Sequence, residues 1–259
     1  MQPIQITFKK RPRLKKPILV EGLPGVGLVG RLAAEQLVNE LDAQPFAVMR
    51  SCYFPPQVIV DDRGEISMFE NTFYYWKNKK GKNDLIILMG DHQGLSADSH
   101  YEVSEAAVKL AYKYNTKMLY TLGGFGTGRM TKKPRIFGAV TDQKLKKQLE
   151  KQGVLFKGGP TFIVGAAGLM LGIGKEYGMK GACLMGETHG AYADPNSAEH
   201  VLKVLTNLIK IKISYAGLEK MAKEIDKEFE KIKKAQEKQN KELLRGKELS
   251  TMDRMAYFR

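Results

Sequence analysis

The chain has 259 residues, of which 43% are hydrophobic and 27% charged, proportions that are typical of a folded globular protein and exclude a disordered one. Lysine and arginine outnumber aspartate and glutamate by 42 to 28, which gives a net charge of +14. No run of about eighteen apolar residues occurs, so the sequence predicts no membrane span. The first residues lack the charged-then-apolar order of a signal peptide, and we expect a cytoplasmic protein.

Part of the positive charge is concentrated in residues 9–16, which carry six positive charges and no acid. Such a run can hold phosphates or an acidic protein surface. We favour a solvated segment that leads into the first core strand, because no aromatic residue that could stack on bases is interleaved. Nucleic-acid binding is therefore not expected.

Residues 17–21 are predicted to form a buried strand, and a glycine-rich turn leads from it into a helix over residues 26–41. The turn contains Gly25, Gly27 and Gly30 in the spacing G-x-G-x-x-G, which in dinucleotide-binding units lets the backbone approach a pyrophosphate. The acidic residue expected about twenty positions later is absent. We therefore interpret the glycines as a tight turn that lets the helix pack closely on the sheet.

The chain continues with alternating strand-like and helix-like segments, which favour a doubly wound α/β fold with a mainly parallel sheet flanked by helices. The predicted strands cover residues 46–52, 57–60, 65–70, 73–77, 84–89, 117–122 and 182–185. The predicted helices cover residues 98–114, 141–152 and 195–213. Residues 61–64, Asp-Asp-Arg-Gly, predict a hairpin turn, and the segment 160–173 is apolar and rich in small residues.

A second glycine cluster, with Gly124, Gly126 and Gly128, follows the strand predicted at 117–122. Ligands in open α/β sheets bind at this edge, so a small-molecule pocket is one interpretation. A sharply turned loop at a subunit contact is the other. The cluster lacks the Gly-Lys-Ser/Thr ending of a phosphate-binding loop.

Asp91, His92, Glu187 and His189 each lie at or just past the end of a predicted strand. If the two strands are neighbours, these side chains can form an acid/base pair; otherwise they are polar loop residues. No G-x-S-x-G nucleophile elbow occurs, so no catalytic residue is assigned. A nucleotide- or nucleoside-processing enzyme is kept as the alternative function.

The two cysteines, Cys52 and Cys183, lie in apolar, strand-like sequence. We expect two buried thiols in a reducing cytoplasm. No Cys/His spacing typical of a metal site appears, and neither a metal nor a cofactor is predicted.

From residue 215 the apolar positions recur at alternating spacings of three and four, the pattern of a helix packed on a partner. This seam contains Leu218, Ile225, Phe229 and Ile232. Since Gly246 ends the pattern, we predict a globular domain over residues 1–214, a coiled-coil-like helical extension over 215–245 and a flexible tail over 246–259.

Bulky apolar groups at a mobile chain end gain little from solvent exposure, which favours contact with another protein. The predicted partner-binding residues are Met255, Tyr257, Phe258 and Arg259.

Taken together, four segments resemble the proteasome-assembly-chaperone family, in particular archaeal homologues of proteasome assembly chaperone 2. The segments are residues 22–30 (Gly-Leu-Pro-Gly-Val-Gly-Leu-Val-Gly), 54–56 (Phe-Pro-Pro), 123–128 (Gly-Gly-Phe-Gly-Thr-Gly) and 186–190 (Gly-Glu-Thr-His-Gly). The resemblance covers roughly residues 15–213, most of the predicted globular body.

The resemblance implies a phosphorylase-like α/β body without demonstrated catalysis, and homo-oligomers, here expected to be tetramers or pentamers. It also implies that C-terminal tails dock between the α-subunits of a proteasome ring, through a hydrophobic–tyrosine–any-residue ending. Here Tyr257 takes the hydrophobic position, Phe258 replaces the tyrosine and Arg259 carries the carboxylate. The missing hydroxyl is expected to weaken docking roughly ten-fold or more.

Overall fold

The computed structural model of the chain describes residues 3–129, 131–156, 162–228 and 231. The strands are β1 Ile4–Phe8, β2 Ile18–Gly22, β3 Gln44–Ser51, β4 Val58–Val60, β5 Ile66–Met68, β6 Asn71–Trp76, β7 Leu85–Gly90, β8 Met118–Gly126, β9 Ile136–Val140 and β10 Lys180–Thr188. The helices are α1 Val29–Glu40, α2 Ala97–Lys113, α3 Gln143–Glu150, α4 Ala166–Glu176 and α5 Pro195–Ile209. A single 3₁₀ turn, Val26–Leu28, precedes α1.

The main sheet has the strand order β1-β3-β6-β7-β2-β8-β10-β9. Its centre, β7-β2-β8-β10, is parallel, while β6 and the strands beyond it, and β9 on the other side, pair antiparallel. Five of these eight strands (β3, β7, β2, β8 and β10) therefore run in the same direction. The predicted α/β class with a mainly parallel, helix-flanked sheet is confirmed.

Apolar side chains fill both faces of the sheet. The first core cluster contains Val20, Leu122 and Leu184 together with residues of α1 and α5, and the second contains Leu19, Ile86 and Leu119 together with residues of α2 and α4. Central strands such as β2 and β7 are buried on both faces, which explains why they read as continuous apolar runs.

The predicted hairpin is confirmed, because β4 and β5 pair antiparallel as a separate two-stranded sheet. In its turn the Asp61 carboxylate accepts hydrogen bonds from the backbone N–H groups of Arg63 and Glu65, and Gly64 adopts φ +80°. The predicted pair 73–77 and 84–89 is also confirmed, as β6 and β7.

Three predictions differ from the structure. The second glycine cluster is not a loop: Gly124 and Gly126 lie in β8, which stays paired with β10 as far as Gly126, and Gly128 follows with φ +70°. Helix α5 ends at Ile209 rather than 213, because Lys210 adopts a left-handed conformation and Ile211 N–H donates to the Thr206 carbonyl.

The third difference concerns the thiols. Cys183 is buried, and burial raises its pKa to about 12, whereas Cys52 is exposed at the end of β3; neither forms a disulfide. Strands β1 and β9 and helix α4 lie in segments for which no element was predicted.

The chain divides into two compact units, Met1–Leu218 and Glu219–Arg259. In the first unit Leu218 is buried in the α1/α5 core cluster. In the second unit residues 219–228 and 231 are helical, and Ile225 is partly buried. Phe229 and Ile232 of the predicted seam lie outside the residues whose side chains are described.

Candidate functional site

The first glycine turn is a close-packed junction between β2, α1 and the neighbouring strands. Gly27 adopts φ +63°, and a Cβ there would meet the Thr188 side chain at 2.6 Å. A Cβ on Gly30 would lie closer than 3.0 Å to the Leu122 carbonyl oxygen. Gly25 precedes the 3₁₀ turn as its N-terminal cap. These contacts support the interpretation that the glycines bring α1 against the sheet.

Gly124 has the same role from the opposite side. A Cβ on this residue would lie closer than 3.0 Å to the backbone carbonyl of Val26, so the 3₁₀ turn rests directly on β8. Around Gly126 and Gly128 there is more room: the nearest atom to a Cβ is 3.4 Å away at Gly126, and none lies within 4 Å at Gly128. The two glycine clusters therefore touch each other at the carboxyl edge of the sheet.

Beside this junction lies a cavity of about 430 Å³. Its floor and walls come from the ends of β2 and β8, the loop after β7 and the start of α4. Apolar groups dominate the lining, and its polar side chains, among the described residues, are Glu21, His92, Gln93 and His100. The position, at the carboxyl ends of parallel strands, is the one at which open α/β sheets bind ligands.

Gln93 holds two walls of the cavity together. Its Oε1 accepts a hydrogen bond of 2.7 Å from the Ala166 N–H, and its Nε2 donates to the Pro24 carbonyl. Because the N-cap residue Gly165 has no side chain, Gln93 supplies the cap that α4 lacks. No local sequence pattern points to Gln93, because it lies 73 positions from the helix residue that it caps.

Glu21 lies in the floor of the cavity and is 1% exposed. Its Oε1 accepts a 2.8 Å hydrogen bond from the Leu23 N–H, while its Oε2 has no hydrogen-bond partner in the described part of the chain. Burial raises the pKa of Glu21 to about 8, although the N–H groups of Leu23 and Leu122 oppose the rise. The sequence signal that could have identified Glu21 is a lone carboxylate in the otherwise apolar strand β2.

The structure does not bring the predicted acid/base residues together. Asp91 and His92 follow β7, and Glu187 lies near the end of β10, with β2 and β8 between these strands. His92 Nδ1 accepts from Gly94 N–H at 3.0 Å, and burial, followed by the nearby His100, lowers its pKa. His189 stacks on Tyr192.

Glu187 is fully engaged in a structural ion pair. Its two carboxylate oxygens accept hydrogen bonds of 2.7 and 2.8 Å from the Arg135 guanidinium, which fastens the start of β9 to β10. These hydrogen bonds lower the pKa of Glu187 to about 2. A carboxylate held in this way stays ionised and is a poor proton donor.

A second candidate surface is the β4–β5 hairpin. Its apolar side chains at Val58, Ile59, Val60, Ile66 and Met68 are all exposed. Val60 and Ile66 lie directly opposite each other and are 60% and 73% exposed. Val58, Val60, Ile66 and Met68 share one face of the hairpin, because they oppose each other in pairs two positions apart. This exposed apolar face is a candidate for a protein contact.

Met255, Tyr257, Phe258 and Arg259, the predicted partner-binding residues, lie outside the described residues. Among the described helices, none combines the length and the apolar character that a membrane crossing requires. No group of three or more potential metal ligands occurs within residues 3–129, 131–156, 162–228 and 231.

The fold and this sheet edge define a doubly wound α/β protein whose glycine turns serve close packing. The sequence profile of the PAC2 family matches residues 19–233, and the chain belongs to this family. It is 42% identical over 224 residues to an uncharacterized protein of Methanocaldococcus jannaschii, MJ1210, and the match covers 86% of each chain.

Two solved structures of Pyrococcus furiosus proteins are similar over most of the chain. PbaB, an archaeal proteasome activator, matches with a TM-score of 0.84 and 36% identity, covering 90% of this chain and 100% of PbaB. PbaA, an archaeal homolog of proteasome-assembly chaperone, matches with a TM-score of 0.76 and 28% identity, covering 94% and 97%. The predicted resemblance to the proteasome-assembly-chaperone family is confirmed.

Proposed function

We propose that this chain is a non-enzymatic, homo-oligomeric, cytoplasmic protein of the proteasome-assembly-chaperone type, which binds a proteasome α-ring through its C-terminal tails. The observation that carries the proposal is the similarity to PbaB, an archaeal proteasome activator, over 90% of this chain and all of that one. The separation of Asp91 and His92 from Glu187 supports a binding role over the nucleotide-processing alternative.

In this proposal each predicted segment has one role. Residues 1–214 form the globular platform, residues 215–245 form the helical extension, and residues 246–259 form the tail that docks on the partner. Several tails on one oligomer raise the effective concentration of each at the ring, so individually weak tails bind usefully. Tyr257 and Phe258 fill an apolar wall, and the carboxylate of Arg259 pairs with a basic group in the partner.

Deleting residues 249–259 is expected to abolish capture of proteasome α-rings in a pulldown with the full chain as the reference. Phe258→Ala is expected to weaken capture strongly, because it removes one of the two aromatic rings that contact the apolar wall. The matched variant Phe258→Tyr restores the hydroxyl at constant ring area, and we expect it to tighten binding roughly ten-fold, equivalent to about 1.4 kcal/mol. Undiminished capture by the truncated chain would rule out tail docking.

The exposed hairpin is the proposed contact between subunits. A two-stranded hairpin is at best marginally stable alone, and this one exposes apolar groups from β4 and β5 that a second subunit can cover. Its turn carries three acids, Asp61, Asp62 and Glu65, and one base, Arg63, which pairs with Asp61 and Glu65. The remaining negative charge, in a chain of net charge +14, favours contact with a second copy.

The double substitution Val60→Asp and Ile66→Asp is expected to convert the oligomer into monomers, because two charges would be buried at the contact. Native mass spectrometry measures the outcome. As a control, Val60→Thr and Ile66→Thr keep the β-branched shape and the preference for strand, and they should loosen the oligomer less. An unchanged oligomer mass in the aspartate variant would place the subunit contact elsewhere.

A further inference from the structure

A row of buried polar side chains crosses the sheet beneath the cavity. Glu21 of β2 stands opposite Thr121 of β8, and Thr121 stands opposite Cys183 of β10. All three side chains are buried, and the Thr121 hydroxyl is hydrogen-bonded to the Cys183 sulfur. Glu21 Oε2 has no hydrogen-bond partner among the described residues. A buried polar atom without a partner is unfavourable, so Glu21 calls for a partner that enters from outside.

One wall of the cavity is the backbone of Gly123 in β8. Gly123 lies two positions after Thr121 and thus on the same face of the strand. The nearest atom to a Cβ on Gly123 is the Met185 side chain at 4.0 Å, so open space lies over this backbone. Leu23, Phe125 and Ile163 add apolar walls. A slot of this form suits a planar ring.

The electrostatic character of the cavity disfavours a charged ligand. Within residues 3–129, 131–156, 162–228 and 231, no lysine or arginine lines this cavity. A phosphate or a carboxylate would therefore find no cationic partner among these residues. With its pKa raised to about 8, Glu21 is mainly a neutral carboxylic acid at pH 7, which also weakens its attraction for cations.

We propose that this cavity binds a neutral, planar nitrogen heterocycle of the nucleobase class, hydrogen-bonded edge-on to Glu21 and lying against the backbone of Gly123 in β8. A neutral carboxylic acid presents an O–H donor at Oε2 beside an acceptor at Oε1, which keeps one lone pair after the bond from Leu23. Nucleobase edges present the complementary acceptor and donor side by side. The proposal is independent of tail docking.

The test titrates the full chain with adenine and with uracil by isothermal calorimetry at pH 7, with inorganic phosphate and benzamidine as charged comparisons. We expect saturable binding of at least one base and none of the charged probes. Absence of binding by both bases, or binding of phosphate or benzamidine alone, would overturn the proposal.

Two variants test the location. Gly123→Val fills the slot without a backbone clash and is expected to abolish binding, whereas the methyl group added by Gly172→Ala in α4 meets no atom within 4 Å and should leave binding unchanged. Thermal unfolding of both variants verifies that they are folded. Base binding that survives Gly123→Val would locate the ligand elsewhere and contradict the proposal.

A pH titration tests the role of Glu21. Binding by the wild-type chain should fall at least about five-fold between pH 7 and pH 9, because ionised Glu21 loses its donor. The variant Glu21→Gln keeps a donor and an acceptor at every pH, so its affinity should stay level across this range. A parallel fall in both proteins would show that Glu21 does not contact the base.

Discussion

Replacing Gly30 with alanine is expected to lower the free energy of unfolding by about 3 kcal/mol or more. The added Cβ would lie closer than 3.0 Å to the Leu122 carbonyl oxygen, and a backbone atom in a central strand cannot move aside as a flexible side chain can. Helix α1 would have to shift away from β8, and this shift would open the core between them. Urea unfolding followed by circular dichroism measures the loss.

The matched control is Gly172→Ala, which adds the same methyl group to helix α4. No atom lies within 4 Å of the new Cβ, and alanine is the better helix former, so stability should rise by up to about 1 kcal/mol. If Gly30→Ala loses less than about 1 kcal/mol, the close approach of α1 to β8 is not what requires this glycine.

The second large effect is the pH dependence that Glu21 imposes on stability. Its folded-state pKa, about 8, lies above the ordinary value of 4.5. Between these two values the folded chain holds a proton that the unfolded chain has released, so the contribution of Glu21 to stability falls as pH rises. Below pH 4.5 both states are protonated, and above pH 8 neither is.

Glu21→Gln removes this titration. Relative to wild type, the variant should gain stability steadily from pH 5 to pH 8, by a few kcal/mol in all, since each pKa unit corresponds to about 1.4 kcal/mol. Chemical unfolding at successive pH values measures the difference. A constant difference between the two proteins across this range would mean that Glu21 titrates normally.

Glu187→Gln is the control, because the pKa of Glu187 is shifted in the opposite direction and its effect on stability has the opposite pH dependence. The pKa of Glu187, about 2, lies below the ordinary 4.5, so its pairing with Arg135 stabilises the chain above pH 4.5 and is lost as pH falls toward 2. The glutamine variant should therefore be less stable than wild type at neutral pH, with the gap closing in acid.

The sequence was sufficient wherever a local pattern had a local cause. Asp61 to Gly64 formed the expected hairpin turn because an aspartate and a glycine satisfy that turn within four residues. The glycines at 25, 27 and 30 formed a strand-to-helix turn because their spacing matches the close approach of a helix to a sheet. Asp194, directly before Pro195, caps α5 by accepting a hydrogen bond from Ser197 N–H.

What the sequence did not reveal depends on distant partners. Strand β1 becomes a strand by pairing with β3, more than thirty-five positions later, and β9 by pairing with β10. Gly124 and Gly126 suggest a loop when the sequence is considered alone, but they lie in a strand because β8 pairs with β10 along this stretch. The cavity likewise depends on distant contacts. Gln93 joins α4 to the glycine turn, and Glu21 lines the space that this contact encloses.

The sheet ends at β1, which pairs with no strand other than β3 in the part of the chain that the structure describes. Such an edge is a template on which foreign chains can polymerise. Pro3, which has no N–H to donate, precedes the strand, and exposed Lys9 and Lys10 follow it. The positive charges of Lys9 and Lys10 repel the same lysines of an identical incoming strand. At 1 M salt this repulsion is screened beyond about 3 Å, so high ionic strength should make the protein more prone to fibrous aggregation.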